Sequence, residues 1–323
     1  MNKELFETLH KQGLLSDASI ELIRKDSRLF SLHWEMKTML YLGIMLLCGA
    51  LGILVYKNID SIGHQAILAS IGLISAGSFI YCFKKKSVYS SIKVNPPTIF
   101  FDYILLLGCL SFIVFVAYFQ YRYQLFGNRF GLATFIPMLV LFFSAYYFDH
   151  IGVLSLAITN LATWVGIAVT PLNILRANDF NNGAIIISAL LLSILLLLMG
   201  ILTTRKKIKA HFAFTYTNIG MHMFFIAVLA ALFHFEKIYL LWAIVLSAGA
   251  WYFYRNAIKT KSFYTFVTAT LYTYIGYSYV LMNELMKWWD ADVAIFYLAF
   301  LYFIISGILL VVFLMRTNKK LKG

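Results

Sequence analysis

The strongest arrangement of chemically capable side chains in this sequence is His211, Thr215, Asn218 and His222. Steps of four, three and four residues put them at about 0°, 40°, −20° and 20° around a helix, within one narrow stripe. The next two positions on that stripe, Phe225 and Leu229, are apolar, so polarity stops about 16 Å from its start. Neutral donors and acceptors ending on an apolar floor have the shape of a vestibule for a polar solute. His222 is the one group in it placed to handle a proton at depth. His211 and His222 lie three turns apart and cannot share a metal ion. The same side chains would serve equally well to bond neighbouring helices.

Two weaker groups accompany the stripe. Ser155, Thr159 and Thr163 share a helix face, with Asn160 and Trp164 beside it. Residues 263–283 carry Thr265, Thr268, Thr270 and Thr273 with Tyr264, Tyr272, Tyr274, Tyr277 and Tyr279, of which Tyr274 and Tyr277 would line a path for a polar or amphipathic molecule. No pair of carboxylates falls deep in an apolar run, and neither a HExxH metal motif nor a glycine-rich phosphate loop occurs. No catalytic residue, metal site or cofactor is therefore expected.

The elements that must position these residues follow from composition. The chain has 323 residues, 61% apolar and 13% charged, with a mean hydropathy of +0.80. A soluble domain is about half apolar and about a quarter charged, so lipid must cover the excess. Runs long enough to cross a bilayer fall near 38–56, 66–83, 101–119, 132–148, 151–169, 183–202, 212–234, 238–254, 263–283 and 293–315. The fold class is thus an all-α, polytopic integral membrane helix bundle of about ten spans arranged as five hairpins. The shortest connections, Asp149-His150 and Glu236-Lys237, are the points at which two spans could merge and reverse the parity of all that follows.

Charge orients the bundle. With a cytoplasmic N-terminus, Lys84 to Lys86, Arg205 to Lys209, Arg255 to Lys261 and Arg316 to Lys322 all fall on one side. Only Lys57, Arg122, Arg129, Arg176, Lys237 and Lys287 fall opposite, the positive-inside distribution. Both termini are then cytoplasmic, in the cell (cytoplasmic) membrane. The net charge of +13 collects where anionic headgroups attract it. Basic residues dispersed at helix ends do not make a nucleic-acid surface. Asp102 and Asp149 are expected at span ends, within reach of water or headgroups. The three cysteines, Cys48, Cys82 and Cys109, read as small buried apolar groups.

Residues 1–36 form the soluble piece, with 2–12 and 17–27 as a short amphipathic helical hairpin and Trp34 as an interfacial anchor. Residues 37–316 are the bundle and 317–323 a basic tail. Gly13-Leu14-Leu15-Ser16, then a glycine-rich span with Gly43, Gly49 and Gly52 closing on Asn58-x-Asp60, carry a family resemblance over about residues 5–85. This stretch resembles the domain-of-unknown-function 2157 family of bacterial multi-pass membrane proteins, with Ile59 where that family usually has Trp. The resemblance implies architecture and supplies no activity.

Two functions are open on this reading. One is binding or transport of a small polar or amphipathic solute or lipid through a cytoplasm-facing polar cavity. The other is a non-transporting scaffold or sensor whose residues 1–30 dock a cytoplasmic protein. An intramembrane enzyme ranks behind both, because neither histidine has a nucleophile beside it.

Overall fold

The computed structural model of the chain describes residues 33–57, 63–98, 100–127, 129–169, 182–288 and 293–322. Ten helices and no strand occur among them. They are α1 (His33–Lys57), α2 (His64–Lys85), α3 (Phe101–Tyr123), α4 (Phe130–Phe148), α5 (Ile151–Val169), α6 (Gly183–Lys206), α7 (Ala213–His234), α8 (Tyr239–Thr260), α9 (Phe263–Trp288) and α10 (Val293–Lys322). Each matches one of the ten apolar runs, the runs at 212–234 and 238–254 starting one residue before α7 and α8. Eight helical segments are long and apolar enough to cross a membrane, and α1 adds an apolar stretch over Thr38–Leu54. The chain is a multi-pass helical membrane protein. The amphipathic hairpin at 2–27, the side chain of Trp34 and the Asn58-x-Asp60 loop lie outside the described residues.

The two doubtful breaks are real, and backbone geometry makes them. After α4 the chain reverses at Asp149, whose left-handed backbone (φ 62°) returns its N–H to the Ala145 carbonyl. His150 then starts α5, its Nδ1 accepting from the Val153 N–H at 3.0 Å. A 3-10 turn over Glu236–Ile238 separates α7 from α8. Lys207 and Lys261 end α6 and α8 in the same left-handed way as Asp149. A side chain at positive φ is unfavourable by itself, and at Asp149 long-range contacts hold the turn, whereas the Lys261 N–H returns to its own helix at Ala257 and Ile258.

Helix α7 is central. Tyr216 belongs to the apolar core shared with α3, α4 and α5, while Met221, Phe225 and Val228 join α8 and α9 in a second cluster. Ala231 and Leu232 meet Ile186 and Trp242 in a third. At the edge of the bundle, α10 turns Phe300, Leu301, Ile308 and Leu309 outward, as lipid-facing positions require.

Small residues set the closest approaches. A Cβ on Gly108 of α3 would stand 2.8 Å from Ser78 Cβ of α2, and Ser75 Oγ donates to the Gly108 carbonyl. On α6, a Cβ on Gly200 would meet Thr217 Oγ1 at 2.6 Å and the Ala213 carbonyl oxygen at 3.3 Å. This is membrane packing through small residues. Gly72 takes part, facing the Phe115 ring, whereas Gly43, Gly49 and Gly52 face open space among the described residues. The glycine spacing on α1 is therefore not a packing seam there.

Gly108→Ala, which must displace a side-chain root, should destabilise the protein by about 1–3 kcal/mol. Gly77→Ala on α2 adds a methyl where nothing stands within 4 Å and should leave the unfolding temperature in detergent nearly unchanged.

Candidate functional site

A cavity of about 1240 Å³ lies among α6, α7, α8 and the start of α9. Ala213, Phe214, Thr217, Asn218 and Met221 form its floor on α7. Gly200, Ile201, Thr204 and Arg205 form the α6 wall, and Trp251, Tyr252, Arg255, Asn256 and Lys259 the α8 wall. The void exists because α7 packs closely on α6 through Gly200 and Gly220, and on α8 through Gly249 beside Phe224. The two outer helices flank α7 and leave its intervening face uncovered. Phe214 is 65% exposed and Trp251 62%, so the cavity is a trough open at the side. Its inner end stops at the cluster of Met221, Phe225, Leu246 and Phe253.

Electrostatically the trough is one-sided. Arg205, Arg255 and Lys259 line it with no acidic side chain among the lining residues, and the Arg255 guanidinium stands 5.6 Å over the Trp251 ring. The carboxamide oxygen of Asn218 is buried with no hydrogen-bond partner. An unbonded buried acceptor is unfavourable, so turning this amide toward a ligand loses no existing bond of that oxygen.

Of the eight residues singled out in the sequence, Asn218 lines the trough. The lining face of α7 is centred roughly 90° around the helix from the stripe, with Asn218 at their shared edge. His222 turns to α9, where Tyr272 Oη lies 3.0 Å from its Nδ1 and Tyr264 Oη 2.8 Å from its Nε2. Thr215 is buried. The α5 hydroxyls return to their own backbone: Ser155 donates to Ile151, Thr159 to Ser155 and Thr163 to Thr159. Thr159 is exposed and Asn160 half-buried, away from the trough. Tyr274 pairs with Ser306 of α10 at 2.9 Å and Tyr277 with Ser247 of α8 at 2.6 Å.

His211 belongs to a different assembly. It precedes α7 in a 3-10 turn, and its Nε2 donates to Asp149 Oδ1 at 2.7 Å. Asp149 Oδ2 lies 3.2 Å from Lys209 Nζ and accepts from the Val94 N–H at 2.5 Å. The Lys209 and Asp149 side chains are 1% and 3% exposed. Asp149 is thus not solvated by water or headgroups, contrary to expectation. It is the centre of a buried ionic knot. His150 beside it is also buried, 4.0 Å from Asp102. Lys209 reads in sequence as one more orienting cation, and nothing in its immediate neighbours, Ile208 and Ala210, both exposed, signals its burial.

Comparison with known proteins bears on the half of the chain that holds Asp149. Residues 7–154 match the family model DUF2157, predicted membrane protein. The chain has no match among the curated proteins or the solved structures. The DUF2157 match runs beyond the expected 5–85, through α1 to α4 and into the first turn of α5. It contains Asp102, Asp149 and His150 but not Lys209 or His211, so the knot joins the DUF2157 segment to the rest. The trough lies wholly in that rest. Among the described residues, no group of three or more His, Cys, Asp or Glu side chains could hold a metal ion.

Asp149→Ala should strand Lys209 as a buried, unpaired cation and destabilise the fold by about 3–5 kcal/mol. Asp149→Leu combined with Lys209→Met should be milder than the sum of the two single changes in detergent unfolding, since the pair couples directly.

Proposed function

We propose that this membrane protein binds a small polar or amphipathic solute in the α6–α8 trough, its polar part at the end that carries Arg205, Arg255 and Lys259. The observation behind it is the trough itself. It exceeds the roughly 300–1,000 Å³ common for ligand sites, and joins apolar walls to a few convergent polar groups. Asn218 supplies an inner hydrogen-bonding group and the cations an attraction for negative charge.

The orientation belongs to the same proposal. The connections 86–98, 149–150 and 207–212 meet at one end, where Lys209 N–H donates to the Ser91 carbonyl and His211 reaches Asp149. The trough opens beside them, between Arg205 and Ser262. That end gathers the basic clusters, so the positive-inside rule makes it cytoplasmic. A trough closed inward by Met221 and Phe225 is the inward-facing state of a carrier in which that inner end opens to release solute on the far side. His222, fixed between two tyrosines, joins α7 to α9 and acts on the inner end rather than on the solute.

The test is a thermal-unfolding screen of the detergent-purified protein against small polar solutes and amphiphiles. Thr204→Trp, which adds bulk at an exposed lining position, should abolish every stabilising response, and Asn218→Ala should weaken it roughly tenfold. His222→Ala should lower basal stability by about 1–2 kcal/mol yet keep the response. A full response with Thr204→Trp would refute the trough as the site. Loss of response with His222→Ala at unchanged stability would move the site to the stripe.

A further inference from the structure

The trough points to a specific occupant. We propose that it holds an anionic phospholipid drawn sideways from the surrounding leaflet, its phosphate-bearing headgroup among Arg205, Arg255 and Lys259. This deepens the solute-binding reading above and rests on it.

Three observations converge. The first is position. Arg205 lies in the last turn of α6 and Arg255 and Lys259 in the last two turns of α8, so the cations stand near where a membrane-spanning helix meets the headgroup layer, while the trough continues along α7 from Ala213 to Met221. Those nine residues rise about 12 Å, enough to take a glycerol backbone and the upper part of its acyl chains.

The second is shape. Phe214 and Trp251 are exposed at the rim although they belong to helices apolar enough to span the membrane. A trough with a lateral opening at that depth faces hydrocarbon, and an acyl chain can enter it without crossing water. A solute arriving from water alone would leave the apolar walls at Phe214, Trp251 and Met221 half used.

The third is charge. Among the described residues, Arg205, Arg255 and Lys259 form no ion pair, whereas Lys209, a few residues from Arg205, is neutralised by Asp149 and Lys287 at the other end by Glu284. Guanidinium groups match phosphate oxygens by paired N–H bonds. Two arginines and a lysine with no carboxylate suit a phosphate monoanion or dianion better than a zwitterionic headgroup, whose ammonium would be repelled.

Delipidated protein in a neutral detergent is titrated with dioleoyl phosphatidylglycerol, dioleoyl phosphatidylcholine and inorganic phosphate, following the unfolding temperature. Phosphatidylglycerol should stabilise saturably at concentrations roughly tenfold or more below phosphatidylcholine, and inorganic phosphate should have no comparable effect. Arg205→Gln with Arg255→Gln should remove that preference, whereas Lys84→Gln with Lys85→Gln, on α2, should retain it. Equal response to the two lipids, a preference that survives the arginine changes, or loss with the lysine changes alone would overturn the proposal. Phosphate acting as strongly as phosphatidylglycerol would overturn it in favour of a soluble anion. If any of these occurs while Thr204→Trp still blocks other solutes, the trough remains a binding site and only its ligand class falls. If Thr204→Trp blocks nothing, both readings fall together.

Discussion

Hydrocarbon accepts no hydrogen bond, and that constraint governs where every polar side chain in this bundle goes. Ser70, Ser155, Thr159, Thr163, Thr270 and Thr273 satisfy their hydroxyls on the carbonyl four residues back, at no demand on a neighbour. Others bond across helices, as Ser278 does to Tyr302, Tyr274 to Ser306 and Tyr277 to Ser247. On α9, Tyr274 and Ser278 bond to α10, Tyr277 to α8, and Tyr264 and Tyr272 to His222 of α7. A helix so rich in Tyr and Thr looks like the lining of a path, and its bonding partners make it a fastener instead. Against this economy, the Asn218 oxygen, like Trp242 Nε1 and Asn318 Oδ1, is buried without a partner, and of these three residues Asn218 lines the trough.

The spans were legible because their length is imposed from outside, by bilayer thickness, and needs no knowledge of the fold. Even the two-residue break at Asp149-His150 showed as a polar pair between apolar runs. What makes that break is not local. A left-handed aspartate held by Lys209, His211 and the Val94 amide draws on three segments far apart in sequence, and no periodicity connects them. The site was legible in one dimension only. Helical spacing correctly puts Asn218 and His222 near one another on α7, but it does not say which neighbour each meets. Asn218 sits at the edge facing α8 and the void, and His222 at the edge facing α9. The trough's floor is built by Phe214, Thr217 and Met221, a face with no polar pattern to announce it. Its existence depends on how far apart α6 and α8 are set by glycine contacts on α7.

Those contacts also divide the molecule mechanically. Gly200 against Thr217, and Gly220 against Leu196 and Leu197, leave no room for a side chain between α6 and α7, so the two move as a unit. The knot fastens the same unit to the DUF2157 segment: Lys209 and His211 lie in the turn between α6 and α7, and Asp149 between α4 and α5. Tyr146 and Tyr216 add a hydroxyl pair at 3.0 Å just inside it. The floor and one wall of the trough are therefore tied to the first half of the chain. The other wall, α8, meets α7 through Phe224 beside Gly249 and through the buried cluster of Met221, Phe225 and Val228 with Leu246 and Phe253, and His222 with its two tyrosines connects α9 to α7.

The cations at that end sort by the same logic. Lys209 is buried and must be neutralised where it stands, because an unpaired ammonium away from water is costly. Asp149 does this, and with His211 and the Val94 amide it leaves no free acceptor for an outside ligand. The knot is closed to chemistry because it is complete. Arg205, Arg255 and Lys259 are exposed, tolerate being unpaired, and have no acidic side chain set opposite them. Burial explains why Lys209 is neutralised internally, whereas Arg205, Arg255 and Lys259 stay exposed along the trough and keep their charge available.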